Sequence, residues 1–251
     1  MREYMNSVTK LLALLIMSAA LLQGCATPQT NKPTDVLFKE GEQFYQNGNY
    51  DDAIAQWKKV KESYQSPELT TKAELGIADS YFLNKDYIEA AAAYEDFRKL
   101  HPNHAQAGFA LYRQGMSNFN QVNRIDTDQT PVKNALTIFE SYLRLYPAGE
   151  QLTEVQEKIR DCRDKQLQYE IYVGRFYLKT DAYKGAIARF SEALKSFPDQ
   201  ARRDEVLYCL GRSYLENGEK SKGREFFGRL SREYPTSPFI SDANKAMDSF
   251  F

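Results

Sequence analysis

The chain has 251 residues, 42% of them hydrophobic and 27% charged, enough apolar matter for a large core or an extended array. Its formal net charge is −1 at pH 7, so no overall field draws it to nucleic acid or to anionic lipid. It carries 17 Tyr and 15 Phe, yet no basic patch is interleaved with aromatic residues, which sets nucleic-acid partners aside.

The N-terminus reads as a targeting segment. Arg2 and Lys10 precede a run of apolar or small residues from Leu11 to Leu22, too short for a typical membrane span. The run closes on Leu22-Gln23-Gly24-Cys25, which resembles a bacterial lipobox. Such a signal directs a diacylglycerol onto the cysteine thiol, cleavage before that residue, and acylation of the new amine by palmitate or a similar chain. The expectation is a lipoprotein signal peptide over 1–24, Cys25 as the lipidated first residue of the mature chain, and a short polar tether over 25–34. An ordinary secretory signal fits less well, since no Ala-x-Ala site is as well placed.

From Asp35 onward one pattern recurs. Gly41, Ala78, Gly115, Gly174 and Gly211 head its copies, at intervals of 37 residues except for 59 between Gly115 and Gly174. Phe44, Tyr81, Tyr177 and Tyr214 follow three residues after four of these heads, and Ala53, Ala90, Ala186 and Gly223 twelve after. Four residues further on stand Trp57, Tyr94, Phe190 and Phe227, and closing prolines come at Pro102, Pro147, Pro198 and Pro235. Two helices that cross closely need a small residue on each where they touch. The aromatic fills the space beside the crossing, and the proline ends the second helix. This is the tetratricopeptide pattern, a helix-turn-helix repeat. It predicts an all-α fold, a right-handed superhelix of five tetratricopeptide-like helix pairs with a long linker helix and a C-terminal capping helix. Such arrays bind other polypeptides in a groove and seldom do chemistry.

The first three repeats are expected over 35–149. Ser66-Pro67-Glu68 supplies an N-cap, a first-turn proline and a first-turn acid for the second repeat. In the third, eight extra residues fall within Gln121 to Thr130, an aperiodic polar loop, and Thr130-Pro131 is expected to cap the helix that follows. Residues 150–251 hold the linker helix, repeats four and five and the cap. The linker, Leu152 to about Thr180, has a seam at Val155, Ile159, Cys162, Gln166, Tyr169, Val173 and Phe176. Ser237-Pro238 opens a last helix from Phe239.

Chemistry-bearing constellations are weak. His101 and His104 are the only histidines. His101 occupies the aromatic slot before the closing proline that Tyr146, Phe197 and Tyr234 fill elsewhere, and no cysteine or carboxylate set completes a metal site. Asp51-Asp52 stands at a helix start, where the dipole favours acids. There is no nucleophile elbow, phosphate loop or dinucleotide fingerprint. No catalytic residue, metal or cofactor is expected. Cys162 and Cys209 would be able to bridge in an oxidising compartment, but both lie on apolar stripes and read as small buried hydrophobes.

The groove is more informative. The inner wall of such an array is lined by the first helix of each pair. In repeats one to three the lining positions hold Phe38, Tyr45, Leu75, Phe82, Leu83, Phe109, Tyr112, Met116 and Phe119. The six aromatics Phe38, Tyr45, Phe82, Phe109, Tyr112 and Phe119 are the candidate peptide-binding residues. Some of them are also placed to pack against the adjacent repeat. Repeats four and five place Gln168, Arg175, Lys179, Arg212 and Glu216 there instead, a polar and fairly basic lining.

Taken together, the lipobox, tether, five repeats, loop in repeat three and linker before repeat four resemble the BamD family of outer-membrane assembly lipoproteins. The stretches that carry the resemblance are Ala90 to His104, the loop around Val122-Asn123-Arg124-Ile125-Asp126, and Tyr169 to Pro198. The loop is shorter than in familiar relatives. The resemblance implies a non-enzymatic scaffold at the periplasmic face of the outer membrane, anchored there by lipid. It implies that the N-terminal repeats receive the aromatic-ended signal of unfolded outer-membrane barrel proteins. It also implies that the C-terminal repeats dock a barrel subunit with periplasmic modules, beside other assembly lipoproteins. Arg189, which matches members of the family, joins Arg175, Lys179 and Arg212 as a candidate docking residue. The alternative is a pilotin-like lipoprotein that carries a secretin to the outer membrane, which is not expected to show the loop or the linker.

Overall fold

The computed structural model describes residues 32–122, 124–199 and 201–250; Cys25 and the signal segment lie outside them. Eleven helices, and no strand, occur among the described residues. Five consecutive pairs are α1 (Thr34–Gln46) with α2 (Tyr50–Ser63), α3 (Pro67–Leu83) with α4 (Tyr87–Leu100), α5 (Ala107–Asn120) with α6 (Thr130–Leu145), α7 (Leu152–Lys179) with α8 (Tyr183–Ser196), and α9 (Arg203–Glu216) with α10 (Lys220–Glu233). A final helix, α11 (Ile240–Phe250), packs on α9 and α10. Each helix packs on its chain neighbours, and the first helices of successive pairs also meet, α1 with α3 and α7 with α9. The all-α tetratricopeptide-like superhelix expected from the repeat pattern is the architecture observed.

The small heads are where the pairs close. A side chain at Gly115 would run into the Phe139 ring, one at Gly174 into Phe190 and one at Gly211 into Phe227, each within 2.8 Å. Ala53, Ala90, Ala135 and Ala186, on the second helices, are fully buried. The recurrent aromatic thus sits on the head of its own repeat. In the second repeat Tyr94 does the same duty in one buried cluster with Ala78 and Ala90.

One turn geometry joins four of the five pairs. Seven residues after the head the chain enters the left-handed region, at Gly48 (φ 77°), Lys85 (φ 67°), Asp181 (φ 58°) and Gly218 (φ 81°). The next residue donates its N–H back to the carbonyl of the aromatic at head plus three: Asn49 to Phe44, Asp86 to Tyr81, Ala182 to Tyr177 and Glu219 to Tyr214, all at 2.9 Å. This six-to-one bond is a Schellman closure, which favours glycine at the left-handed position, the residue found there in the first and fifth pairs. Four of the five second helices stop alike, while α2 ends on left-handed Tyr64 (φ 51°). Before each closing proline, His101, Tyr146, Phe197 and Tyr234 hold φ between −125° and −136° with ψ between 58° and 64°. The proline ring excludes the helical conformation from the residue before it.

Among the described residues of the third pair's connection no left-handed turn occurs. That connection holds itself together: Arg124 is bidentate to Asp126 at 3.0 and 2.7 Å, and buried Gln129 donates to the Thr127 carbonyl at 2.8 Å. Thr130 is not the cap expected of it. It is already helical, and its N–H is taken by the Asp128 carboxylate at 2.9 Å, an acid two residues upstream doing the capping. Ser66, by contrast, accepts from Leu69 N–H at 3.3 Å.

Helix α7 spans 28 residues, roughly 42 Å at the helical rise of 1.5 Å per residue. Its expected seam holds only at the start. Val155, Ile159 and Cys162 are buried in the core of the third pair, but the stripe then moves to Leu167, Ile171 and Gly174, in the core of the fourth. Gln166, Tyr169 and Val173 are half-buried and Phe176 is 60% exposed. The helix changes partners midway, from α6 to α8, so its buried face rotates and a single periodic seam cannot describe it. Cys162 and Cys209 are free and buried, and burial pushes their thiols up to about 12 and about 11.

Candidate functional site

The six groove aromatics lie where the first helices line up, and the structure divides them. Phe38, Tyr45, Phe82, Phe109 and Phe119 are half-buried. Tyr112 is buried in the core of the third pair, and its hydroxyl donates to Glu154 of α7 at 2.6 Å. Phe38 packs against Trp57, whose indole N–H donates to the Phe38 carbonyl at 3.2 Å. Tyr45 and Phe82 meet Tyr50 and Tyr87 edge-on, at 5.8 and 5.6 Å between centroids. Phe119 stands between the ammonium groups of Lys158 and Lys165, at 5.0 and 5.1 Å from its ring centre. The wall is therefore braced by packing within the first two pairs and, at Tyr112 and Phe119, against α7, while each of the five residues stays partly accessible.

Between Phe82 and Phe109 lies a residue that the lining pattern passed over. The Arg113 guanidinium carbon is 4.3 Å from the Phe82 ring centre and 5.2 Å from that of Phe109. Arg113 stands two residues before the head Gly115, a position one turn from those used to draw the wall. Nearby, the Tyr94 hydroxyl donates to the Asp79 carboxylate in a short bond. Burial pushes the Asp79 carboxyl above its ordinary value, although the Tyr94 hydrogen bond and Arg113 both pull it down. Burial also raises the Tyr45 hydroxyl, helped by the Asp79 charge. The groove thus combines aromatic walls with Arg113 and one reluctant acid, and Lys158 and Lys165 flank its far end at Phe119.

His101 fills its aromatic slot 5.1 Å from the Phe97 ring, and it also reaches buried Glu74, Nε2 to Oε2 2.6 Å. Lys61 approaches the other oxygen at 3.4 Å. Through Glu74, these contacts tie the end of α4 to α3 and α2.

The second half presents the basic residues, most of them engaged. Arg175 pairs with Glu205 at 2.7 Å and Arg212 with Glu216 at 3.5 Å. Arg189 pairs with Glu170 of α7 at 3.1 Å, at the edge of a cleft of roughly 540 Å³ whose walls include Leu136, Tyr169 and Phe197. Lys179 is exposed. Beside Arg175 and Lys179, Tyr172 and Phe176 are 45% and 60% exposed; of the two, only Phe176 stood in the expected seam.

Helix pairs closed on small residues, with an aromatic wall along the first helices, define a tetratricopeptide-type helical scaffold. The model of the YfiO outer membrane lipoprotein family matches residues 30–226, and the chain belongs to that family. It is 27% identical over 247 residues to the outer membrane protein assembly factor BamD of Rickettsia prowazekii, covering 97% of this chain and 98% of that protein. It is 25% identical over 216 residues to the protein of the same name from Vibrio cholerae, covering 81% and 90%. Among solved structures it is similar to the TPR2AB-domain:pHSP90 complex of yeast Sti1, with TM-score 0.44 and 13% identity over 86% of this chain and 97% of that one. As a member of the family the chain is a non-enzymatic scaffold. No helix among the described residues is long and apolar enough to cross a membrane.

Proposed function

We propose that this chain is a lipid-anchored scaffold of the machinery that assembles β-barrel proteins in the outer membrane. Its first three repeats receive the aromatic-ended signal of unfolded barrel proteins, and its second half docks the barrel subunit with periplasmic modules, beside other assembly lipoproteins. Cys25 carries the acyl chains and holds the protein at the periplasmic face of the outer membrane. Each buried methylene contributes about 0.8 kcal/mol, so several chains make the anchor effectively permanent. The full-length similarity to assembly factors supports the assembly role.

The observation that carries the division of labour is the contrast between the two halves. Phe38, Tyr45, Phe82 and Phe109 give the first half an apolar wall with partly accessible rings. Arg175, Lys179 and Arg212 give the second an exposed basic one, flanked by Tyr172 and Phe176. An extended apolar peptide suits the former, and a folded partner with surface carboxylates suits the latter.

Depletion of the protein tests the reading. Barrel proteins as a class should fall in the outer membrane while other lipoproteins persist there. A loss confined to one secretin and its pilus would identify a pilotin-like carrier instead. Mass spectrometry of the mature N-terminus tests the anchor, and a free, unmodified terminus downstream of Cys25 rules it out.

A further inference from the structure

Arg113 differs from the arginines of the second half. Arg175, Arg189 and Arg212 each hold a carboxylate of their own chain. Among the described residues no group accepts a hydrogen bond from the Arg113 guanidinium, and its Nε is buried without an acceptor. The acid it acts upon, Asp79, is already engaged by the Tyr94 hydroxyl. The Nε–H is closed in beneath the rings, whereas the terminal Nη groups are not among the buried orphans and have no acceptor of their own, so they are the ones an outside acceptor can reach. Here Phe82 and Phe109, from consecutive repeats, cover the guanidinium at 4.3 and 5.2 Å and fix its position. Aromatic rings interact with the faces of a guanidinium and leave its in-plane N–H groups to acceptors.

We propose that Arg113 receives the C-terminal carboxylate of an extended polypeptide whose apolar last side chain lies along Phe82 and Tyr45. The inference rests on the groove reading above and adds its anchor point. A carboxylate matches the planar fork with two parallel hydrogen bonds. The surrounding wall is apolar, so the group that brings the charge must bring an apolar surface with it. A C-terminal apolar residue carries both on one Cα, and its chain ends there, with no further peptide group to desolvate. An Asp or Glu side chain brings the charge alone.

The test uses the mature full-length chain and a labelled ten-residue peptide ending in Phe, as free acid and as C-terminal amide. A third peptide is amidated and carries an internal Asp that restores the charge. In anisotropy titrations the wild-type protein should bind the amide more weakly than the acid by about tenfold or more. The Asp-bearing amide should not recover the loss. Arg113→Gln should lower affinity for the acid to that of the amide, with its helical signal intact, and Arg113→Lys should recover part of it. Equal binding of acid and amide by the wild type, or a preference for the acid that survives Arg113→Gln, overturns the proposal and leaves the groove reading standing. So does full recovery by the internal Asp, which would move the contact to a side chain. Failure of all three peptides to bind overturns both.

Discussion

The indole of Trp57 fills the space that a side chain at Gly41 would need. It also lies against Gly76 of the next repeat, where an added carbon would come within 2.7 Å of the ring. One aromatic is thus clasped between α1 and α3 by two absent side chains, and it ties the first repeat to the second.

Gly41→Ala should destabilise the protein by about 1–3 kcal/mol, since the ring is held on both sides and must shift. Gly228→Ala makes the opposite case within the same protein. A side chain there meets only the end of Arg232, at 3.4 Å, in the interior of α10. It should stabilise by about 0.5–1 kcal/mol through backbone entropy. Urea unfolding of the two variants checks both signs, and a Gly41→Ala protein as stable as the wild type would show that the indole moves freely.

Lys85 occupies the left-handed turn position that Gly48 and Gly218 fill in other repeats. A side chain there costs about 1–2 kcal/mol of local strain. Lys85→Gly should therefore raise stability by about 1 kcal/mol, or the melting temperature by roughly 2–4 °C. Gly48→Ala, at φ 77°, should lower it comparably. Thermal melts of the pair decide it, and an unchanged Lys85→Gly would mean that the lost strain is offset by freedom gained in the unfolded chain.

The repeat heads and the aromatics on them were legible in the sequence because a close crossing admits so few residue types that a period of 37 residues stands out. The turn residues share that period, but their left-handed geometry is invisible where Lys85 and Asp181 stand in place of glycine. The linker helix misled at Phe176, because a seam assumes one partner and α7 has two. Arg113 was missed for a related reason: a template of lining positions ranks residues singly, whereas its place depends on rings from two different repeats.

Asp79 makes stability depend on pH in a definite direction. Its folded carboxyl lies above the unfolded value of about 3.9, because burial outweighs Tyr94 and Arg113. Between those two values the folded state binds the proton more than the unfolded one. The stability contributed by this group is therefore present below the unfolded value and lost as pH rises through the folded one. Asp79→Asn removes that loss while keeping an acceptor for the Tyr94 hydroxyl. Its unfolding midpoint, measured against wild type, should improve from pH 4 to pH 7. A difference that stays constant over that range would mean that Asp79 titrates alike folded and unfolded.

Arg189 offers two roles that charge reversal separates. Its guanidinium reaches Glu170 across α8 and α7 at 3.1 Å, with both groups partly exposed, the arginine side chain 43% and the glutamate 22%. As an intramolecular brace such a pair contributes about 0–1 kcal/mol. Arg189→Glu alone sets two acids face to face, so it should cost some stability and also weaken retention of the barrel subunit in a pull-down from membranes. Combining it with Glu170→Arg restores the internal pair with its charges exchanged. If Arg189 acts only as a brace, the double variant recovers both stability and the partner. If the arginine meets a carboxylate of the partner, stability returns while retention at moderate salt stays reduced, because the charge presented at the edge of the cleft has changed sign. The second outcome is expected, and full recovery of the partner would restrict Arg189 to holding the linker helix in place.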